Sequence, residues 1–199
     1  MFSTMAKPLI FLALSAIAYL LMISSGNATT NNAENMSFSK TLTLEKLGLK
    51  QEKFTHLHFY YHEVNQGANT TTVKIATTNT SSAYNFGNIH MMDNPLTQGP
   101  NLSSKLVGRA QGIYGFESKS EYALLMVMNL VFEEGQYNGS TLSILGRNAI
   151  LAGVREFPIV GGSGVFRFAR GYALTKTYQF DLKKSPNVIE EHDVYVFHY

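Results

Sequence analysis

The stretch Thr55-His56-Leu57-His58-Phe59-Tyr60-Tyr61-His62-Glu63 decides the fold class. Leu57, Phe59, Tyr61 and finally Glu63 share one side, while His56, His58, Tyr60 and His62 share the other. Successive side chains of an extended chain point to opposite faces, so a period of two specifies a strand, here with an acid ending its apolar row. Further β-like runs lie at 71–77, 87–92, 106–116, 122–132, 140–145, 165–177 and 193–199. Turn signals separate them: Asp93-Asn94-Pro95, Asn138-Gly139 and Gly161-Gly162-Ser163-Gly164. By periodicity alone 122–132 could be a buried helix, since Ala, Leu and Met are helix formers. The Asn-Gly pair that follows suits a tight type I′ turn and makes a hairpin the better reading. About eight strands with short connections specify an all-β sandwich or barrel.

Outward from this core the chain changes character. Residues 1–28 read as a secretory signal: Lys7 is the sparse positive region, 9–23 is the apolar run, and Gly26 and Ala28 suit cleavage. The run is short for a membrane anchor, so no membrane partner is expected. Residues 29–46, rich in Asn, Thr and Ser, read as a flexible glycosylated leader, and 47–199 as the folded domain. Six acceptor sequons begin at Asn27, Asn35, Asn69, Asn79, Asn101 and Asn138, and in a secreted chain they predict glycans on surface loops. The chain has no cysteine, so the domain must hold itself by burial rather than by disulfides. A formal charge of +2, with no Lys/Arg run, gives no footprint for nucleic acid.

Several chemistries fall away on the residues. Without cysteine there is no thiol nucleophile or thiolate metal site. His56-x-His58 with His62 could share a metal, but a solvent-facing polar row produces the same spacing, and no metal is expected. Gly161-Gly162-Ser163-Gly164 lacks the Lys and Ser/Thr of a phosphate loop, and no Gly-x-Ser-x-Gly elbow nominates a serine. The run 106–116 offers more. One of its faces carries Leu106, Gly108, Ala110, Gly112, Tyr114 and Phe116, which fits either a cavity beside an aromatic hydroxyl or glycines that bend a strand into a barrel. Glu63, Arg155 and Tyr114 are the polar groups set in apolar or small-residue stretches. A carboxyl in a hydrophobic cavity has a raised pKa and can exchange a proton with a phenol or a leaving oxygen. A structural ion pair between Glu63 and Arg155 is the other reading of the same residues.

The segments His58-Phe59-Tyr60-Tyr61-His62-Glu63, Phe86-Gly87-Asn88-Ile89, Met92-Asp93-Asn94-Pro95-Leu96-Thr97, Val107-Gly108-Arg109-Ala110-Gln111-Gly112, Val160-Gly161-Gly162-Ser163-Gly164-Val165-Phe166 and Phe168-Ala169-Arg170-Gly171-Tyr172 resemble, in this order, the plant dirigent proteins. The resemblance runs from about Leu47 to Tyr199. It implies an eight-stranded antiparallel barrel of the allene-oxide-cyclase type, a homo-oligomer (trimer or dimer) and residence in the apoplast. It also implies no cofactor: a separate laccase or peroxidase makes phenoxy radicals, for instance from coniferyl alcohol, and the cavity orients their coupling into lignans. Carried over by position, the family's first cavity aspartate falls on Glu63, its cavity tyrosine on Tyr114 and its arginine on Arg155. Its second tyrosine is replaced by Phe116 and its second aspartate by Asn148, while Phe59 and Tyr61 complete the expected cavity wall. The stretch from Tyr137 to Asn148 and the ending Val194-Tyr195-Val196-Phe197-His198-Tyr199 look more like the branch with pterocarpan synthases and gossypol-type coupling proteins. There the resemblance implies a barrel acting alone as a lyase, which removes water from an isoflavanol and closes a ring through a quinone methide.

Overall fold

Alternation of buried and exposed side chains builds the domain, seen in a computed structural model that describes residues 38–79, 81–181 and 185–199. The expected signal, residues 29–37 of the leader, and Asn27 and Asn35 lie outside the described residues. The remainder of the leader, 38–46, is exposed and ends in the short 3-10 turn Glu45–Leu47. From Gly48 to Tyr199 the chain forms a separate unit.

Among the described residues nine strands make up that unit: β1 (Lys53–Glu63), β2 (Thr72–Ala76), β3 (Ile89–Thr97), β4 (Leu106–Phe116), β5 (Ala123–Phe132), β6 (Thr141–Ala149), β7 (Arg155–Ser163), β8 (Arg170–Asp181) and β9 (Ser185–His198). They form one antiparallel sheet in the order β1-β9-β8-β7-β6-β5-β4-β3-β2. β1 pairs with β9 from Lys53↔His198 to Glu63↔Val188, and also meets β3 at Tyr60↔Thr97 and Tyr61↔Leu96. That second pairing closes β1 and β3–β9 into an eight-stranded barrel and leaves β2 attached outside, on β3 alone.

The interior follows the period of two. Leu124, Met126, Met128, Leu130 and Phe132 of β5 point inward, while Leu125 and Val127 are exposed. Each large apolar side chain removed from water in this way stabilises the fold by about 1.5–3 kcal/mol. Around one end of the barrel Phe59, Phe132, Phe157, Leu142 and Phe166 are buried together. Phe166 sits there in the 3-10 turn Gly164–Phe166, with Tyr137 stacked on it at 5.1 Å between ring centroids. Gly108 and Gly112 let β4 approach β5. A Cβ on either would lie 2.2 or 2.1 Å from the carbonyl oxygens of Val131 and Val127.

Five sequence expectations are corrected. Asp93-Asn94-Pro95 is no turn; it runs inside β3. The Asp93 N–H points away from β4, to the Thr71 carbonyl. Two residues on, the Pro95 nitrogen faces the same side, in the gap between the last partner on β2 (Thr72↔Met92) and the first on β1 (Tyr61↔Leu96). A residue without N–H costs no ladder bond there. Asn138-Gly139 joins β5 to β6 as expected, but only Gly139 has positive φ (77°), while Asn138 has φ −52° and ψ 129°. With Ser140 N–H donating to the Tyr137 carbonyl, the turn is type II rather than I′. Gly161-Gly162-Ser163 ends β7, a strand the sequence reading did not assign, and only Gly164 enters the turn. β8 accordingly starts at Arg170, not at 165, and β9 starts at Ser185, not at 193.

Candidate functional site

The barrel end opposite Phe166 holds a cavity of about 310 Å³, within the range of roughly 300–1,000 Å³ typical of small-molecule sites. Its wall comes from the finishing ends of β1, β4, β6 and β8 and the starting ends of β3, β5 and β9, which antiparallel pairing gathers at one mouth. Leu124, Met126, Phe116, Phe180 and Val188 make the wall largely apolar, and Tyr61, Glu63, His90, Tyr114, Asn148, Thr177 and Glu190 supply polar atoms.

Glu63, the acid that ends the apolar row of β1, reaches the cavity because its Cβ continues the inward side of Phe59 and Tyr61. The Tyr114 hydroxyl donates to its Oε1 at 3.0 Å. Burial pushes the Glu63 carboxyl up; hydrogen bonds from Asn65 and Tyr114 offset part of this, and the negative Glu190 adds to it. Tyr114 is itself driven up by burial and by Glu63, so its phenol stays protonated and keeps the proton that it donates to Glu63. His90 stacks on Tyr114 with centroids 4.8 Å apart, and burial together with Lys74 lowers its pKa, which favours the neutral imidazole.

Of the expected cavity residues, Tyr61, Tyr114, Phe116 and Asn148 line the space with Glu63. Tyr61 is fixed by the Asn94 amide, which donates to its hydroxyl at 2.5 Å. Asn148 is 3% exposed, and its Oδ1 has no hydrogen-bond partner among the described residues. Phe59 does not line the cavity; it lies deeper, stacked on His192 at 5.4 Å. Four residues from the mouth along a strand that rises about 3.3 Å per residue, it belongs to the packed interior.

Arg155 lies outside the cavity lining, and the Glu63–Arg155 ion pair, the alternative reading of these residues, does not form. Arg155 Nη2 donates instead to Oε1 of Glu190, and its Nη1 donates to Thr177 Oγ1 at 2.8 Å and to the Ala152 carbonyl at 3.3 Å. Burial alone would raise the Glu190 carboxyl, but its neighbours His192 and Arg155 outweigh that and hold it below the usual carboxylate range. The cavity therefore contains two carboxyls pushed apart, one toward the neutral form and one toward the ionised form.

Glu190, His90 and Thr177 were missed by the sequence reading. The signal for Glu190 was present as the alternation Val188, Glu190, His192, Val194 and Val196. The neighbouring acids at 190, 191 and 193 break the apolar row by which a strand is recognised. The histidine row of β1 is occupied otherwise: His56 pairs with Asp193 at 2.8 Å and His58 with Glu191 at 2.9 Å on the outer face, while the His62 ring nitrogen lies 2.6 Å from Thr97 Oγ1. Among the described residues no group of three or more His, Asp or Glu is placed to hold a metal, and no helix is long and apolar enough to cross a membrane. Asn69, Asn79, Asn101 and Asn138 are all exposed.

Comparison with known proteins bears on the family and the fold. The family described as Dirigent-like protein matches residues 54–197. Pterocarpan synthase 1 of Glycyrrhiza echinata is 49% identical over 82% of this chain and 88% of its own length. Dirigent protein 21 of Arabidopsis thaliana is 42% identical over 95% of this chain and 98% of its own. Among solved structures, the pterocarpan synthase dirigent protein GePTS1 superposes with a TM-score of 0.74 at 50% identity, covering 81% of this chain and 99% of that one.

Proposed function

Because the chain belongs to the dirigent-like protein family, we propose that its barrel steers the ring closure of a phenol through a quinone methide, by loss of water from an isoflavanol-like substrate. The observation that carries this reading is Glu63, a carboxyl pushed toward its neutral form in an apolar cavity and hydrogen-bonded by Tyr114. An acid so placed can do what the dehydration requires. Neutral Glu63 gives its proton to the departing hydroxyl, the carbon–oxygen bond breaks, and water leaves. The resulting benzylic cation is a protonated quinone methide, its charge spread onto the phenol oxygen. A second phenolic oxygen of the same molecule bonds to the electron-poor carbon, and its proton passes to the Glu63 carboxylate, restoring the acid. One water is lost, one carbon–oxygen bond replaces another, and no oxidant is consumed. Fixing the face on which the second oxygen approaches makes the product a single enantiomer. The volume of about 310 Å³ suits one multi-ring phenol.

A second reading, stereocontrol over radicals supplied by a laccase or peroxidase, is favoured by the aromatic wall of Tyr61, Tyr114, Phe116 and Phe180, on which phenoxy rings can stack. Both readings place the protein outside the cell, as a homo-oligomer with glycans on its exposed sequons. Incubation with an isoflavanol and no oxidant, followed by chiral chromatography, tests the first; coniferyl alcohol with a laccase tests the second. We expect one enantiomer of the closed ring in the former. Unchanged isoflavanol together with optically active coupling products in the latter would reverse the order.

A further inference from the structure

Glu190 is a buried carboxyl for which the dehydration has so far had no use. Its side chain is 11% exposed and lines the cavity, whereas that of its partner Arg155, 2% exposed, stands behind the wall. Arg155 cannot turn toward the substrate: Nη1 is held by Thr177 and by the Ala152 carbonyl, and Nη2 by Glu190 itself. The other Glu190 oxygen, Oε2, lies 3.5 Å from His192 Nε2, and that ring is anchored in turn by Thr175, 3.0 Å from Nδ1. The ion pair is therefore a fixed dipole with its negative end at the cavity surface and its positive end in the packed interior.

We propose that Glu190 is a second catalytic carboxyl of this cavity, an ionised countercharge for the cation that forms as water leaves, with Arg155 as the residue that positions it. The proposal rests on the cationic quinone methide of the preceding reading. Preorganised dipoles aimed at a developing charge in a dry cavity stabilise a transition state more strongly than water does, because they need not reorient. The division of labour resembles two-carboxyl sites in which an apolar pocket keeps one acid neutral to donate a proton while a polar setting keeps the other ionised. Glu63 meets burial and only the neutral donors Asn65 and Tyr114; Glu190 meets a guanidinium and an imidazole. Glu63 thus moves protons, and Glu190 holds charge without moving one.

Binding of stable ligands tests this apart from turnover. A phenyl-substituted N-methylquinolinium is a flat cation of suitable size, and the corresponding methylnaphthalene is its neutral twin. In the full protein, Glu190→Gln is expected to weaken the cation roughly tenfold, the factor that corresponds to about 1.4 kcal/mol, with the neutral twin unchanged within about twofold. Should Glu190→Gln fail to fold because it leaves the Arg155 charge buried alone, the double variant Arg155→Met/Glu190→Gln removes both charges and is expected to show the same selective loss. Equal weakening of both ligands, no weakening of either, or no binding of the cation by the unsubstituted protein would overturn the role of Glu190. A protein that leaves isoflavanols unchanged yet loses cation binding selectively would sink the dehydration reading and keep the countercharge.

Discussion

At the scale of the residue, the site depends on what burial does to one carboxyl. Replacing Glu63 with Gln keeps an acceptor for the Tyr114 hydroxyl but removes the transferable proton, so the rate of ring closure should fall about 100-fold or more while substrate binding changes little; steady-state kinetics on the isoflavanol decide it. A rate that depends on the neutral acid must decline as pH rises through the raised Glu63 pKa. Stability responds in the same direction. Between the unfolded value near 4.5 and the higher native value, the folded chain holds a proton that the unfolded chain has lost, and stability falls as pH rises across that window. Glu190 behaves oppositely, since its lowered native pKa makes stability fall as pH drops below 4.5. Glu63→Gln should therefore melt higher than the unsubstituted protein at neutral pH, with the gap shrinking as pH is lowered toward 4.5; a constant gap in thermal melts would mean that Glu63 is not buried as an acid. Glu63 and Tyr114 were legible in the sequence because each interrupts an apolar or small-residue row. The Arg155–Glu190 pair was not, because a charge is assigned a partner by pairing across strands, and nothing local marks which acid lies opposite.

At the scale of the element, strand β4 shows how small residues buy proximity. Gly112 lies so close to β5 that an added Cβ would meet the Val127 oxygen at 2.1 Å and Met128 Cα at 2.7 Å, both backbone atoms that cannot step aside. Gly112→Ala should destabilise by about 3 kcal/mol, the upper end of the usual cost of overpacking. Gly161→Ala in β7, where nothing lies within 4 Å of the new atom, should stay within about 0.5 kcal/mol. Chemical denaturation of the pair separates close approach from the mere loss of a glycine. For the run 106–116 the two readings of its glycines both hold: Gly108 and Gly112 bring the strands together, and Tyr114 and Phe116 beyond them line open space. Strand β7 escaped notice because Pro158 and the pair Gly161-Gly162 carry turn chemistry. Its alternation of buried Arg155, Phe157 and Ile159 with exposed Glu156, Pro158 and Val160 is visible once the ladder to β6 is known to shift register after Ser143.

At the scale of the whole molecule, closure depends on β9, which is paired along its length to both β1 and β8. Val194 and Val196 of this last strand are fully buried, so the end of the chain completes the interior begun near its start. Removing residues 185–199 should leave two open strand edges and a chain without a cooperative melt; circular dichroism of the truncated protein is the check. The count of about eight strands was legible from turn spacing, but its membership was not. The reading included β2, which lies outside the barrel, and omitted β7, which lies within it. Closure is a relation between distant segments, such as Tyr61 with Leu96, and a local pattern cannot announce it.

Strand β2 carries a further consequence. It is paired on one side only, and its exposed Val73 and Ile75 flank an exposed Lys74. A short apolar strand with free N–H and C=O groups is a template for adding a strand from a neighbouring molecule, which natural sheets prevent with a charge on the outermost strand. Lys74 is that charge here, and like charges brought edge to edge repel. Lys74→Val would produce an uninterrupted apolar edge of high β-propensity, and light scattering on standing should reveal self-association that the parent protein resists, even though no residue of the cavity has been touched.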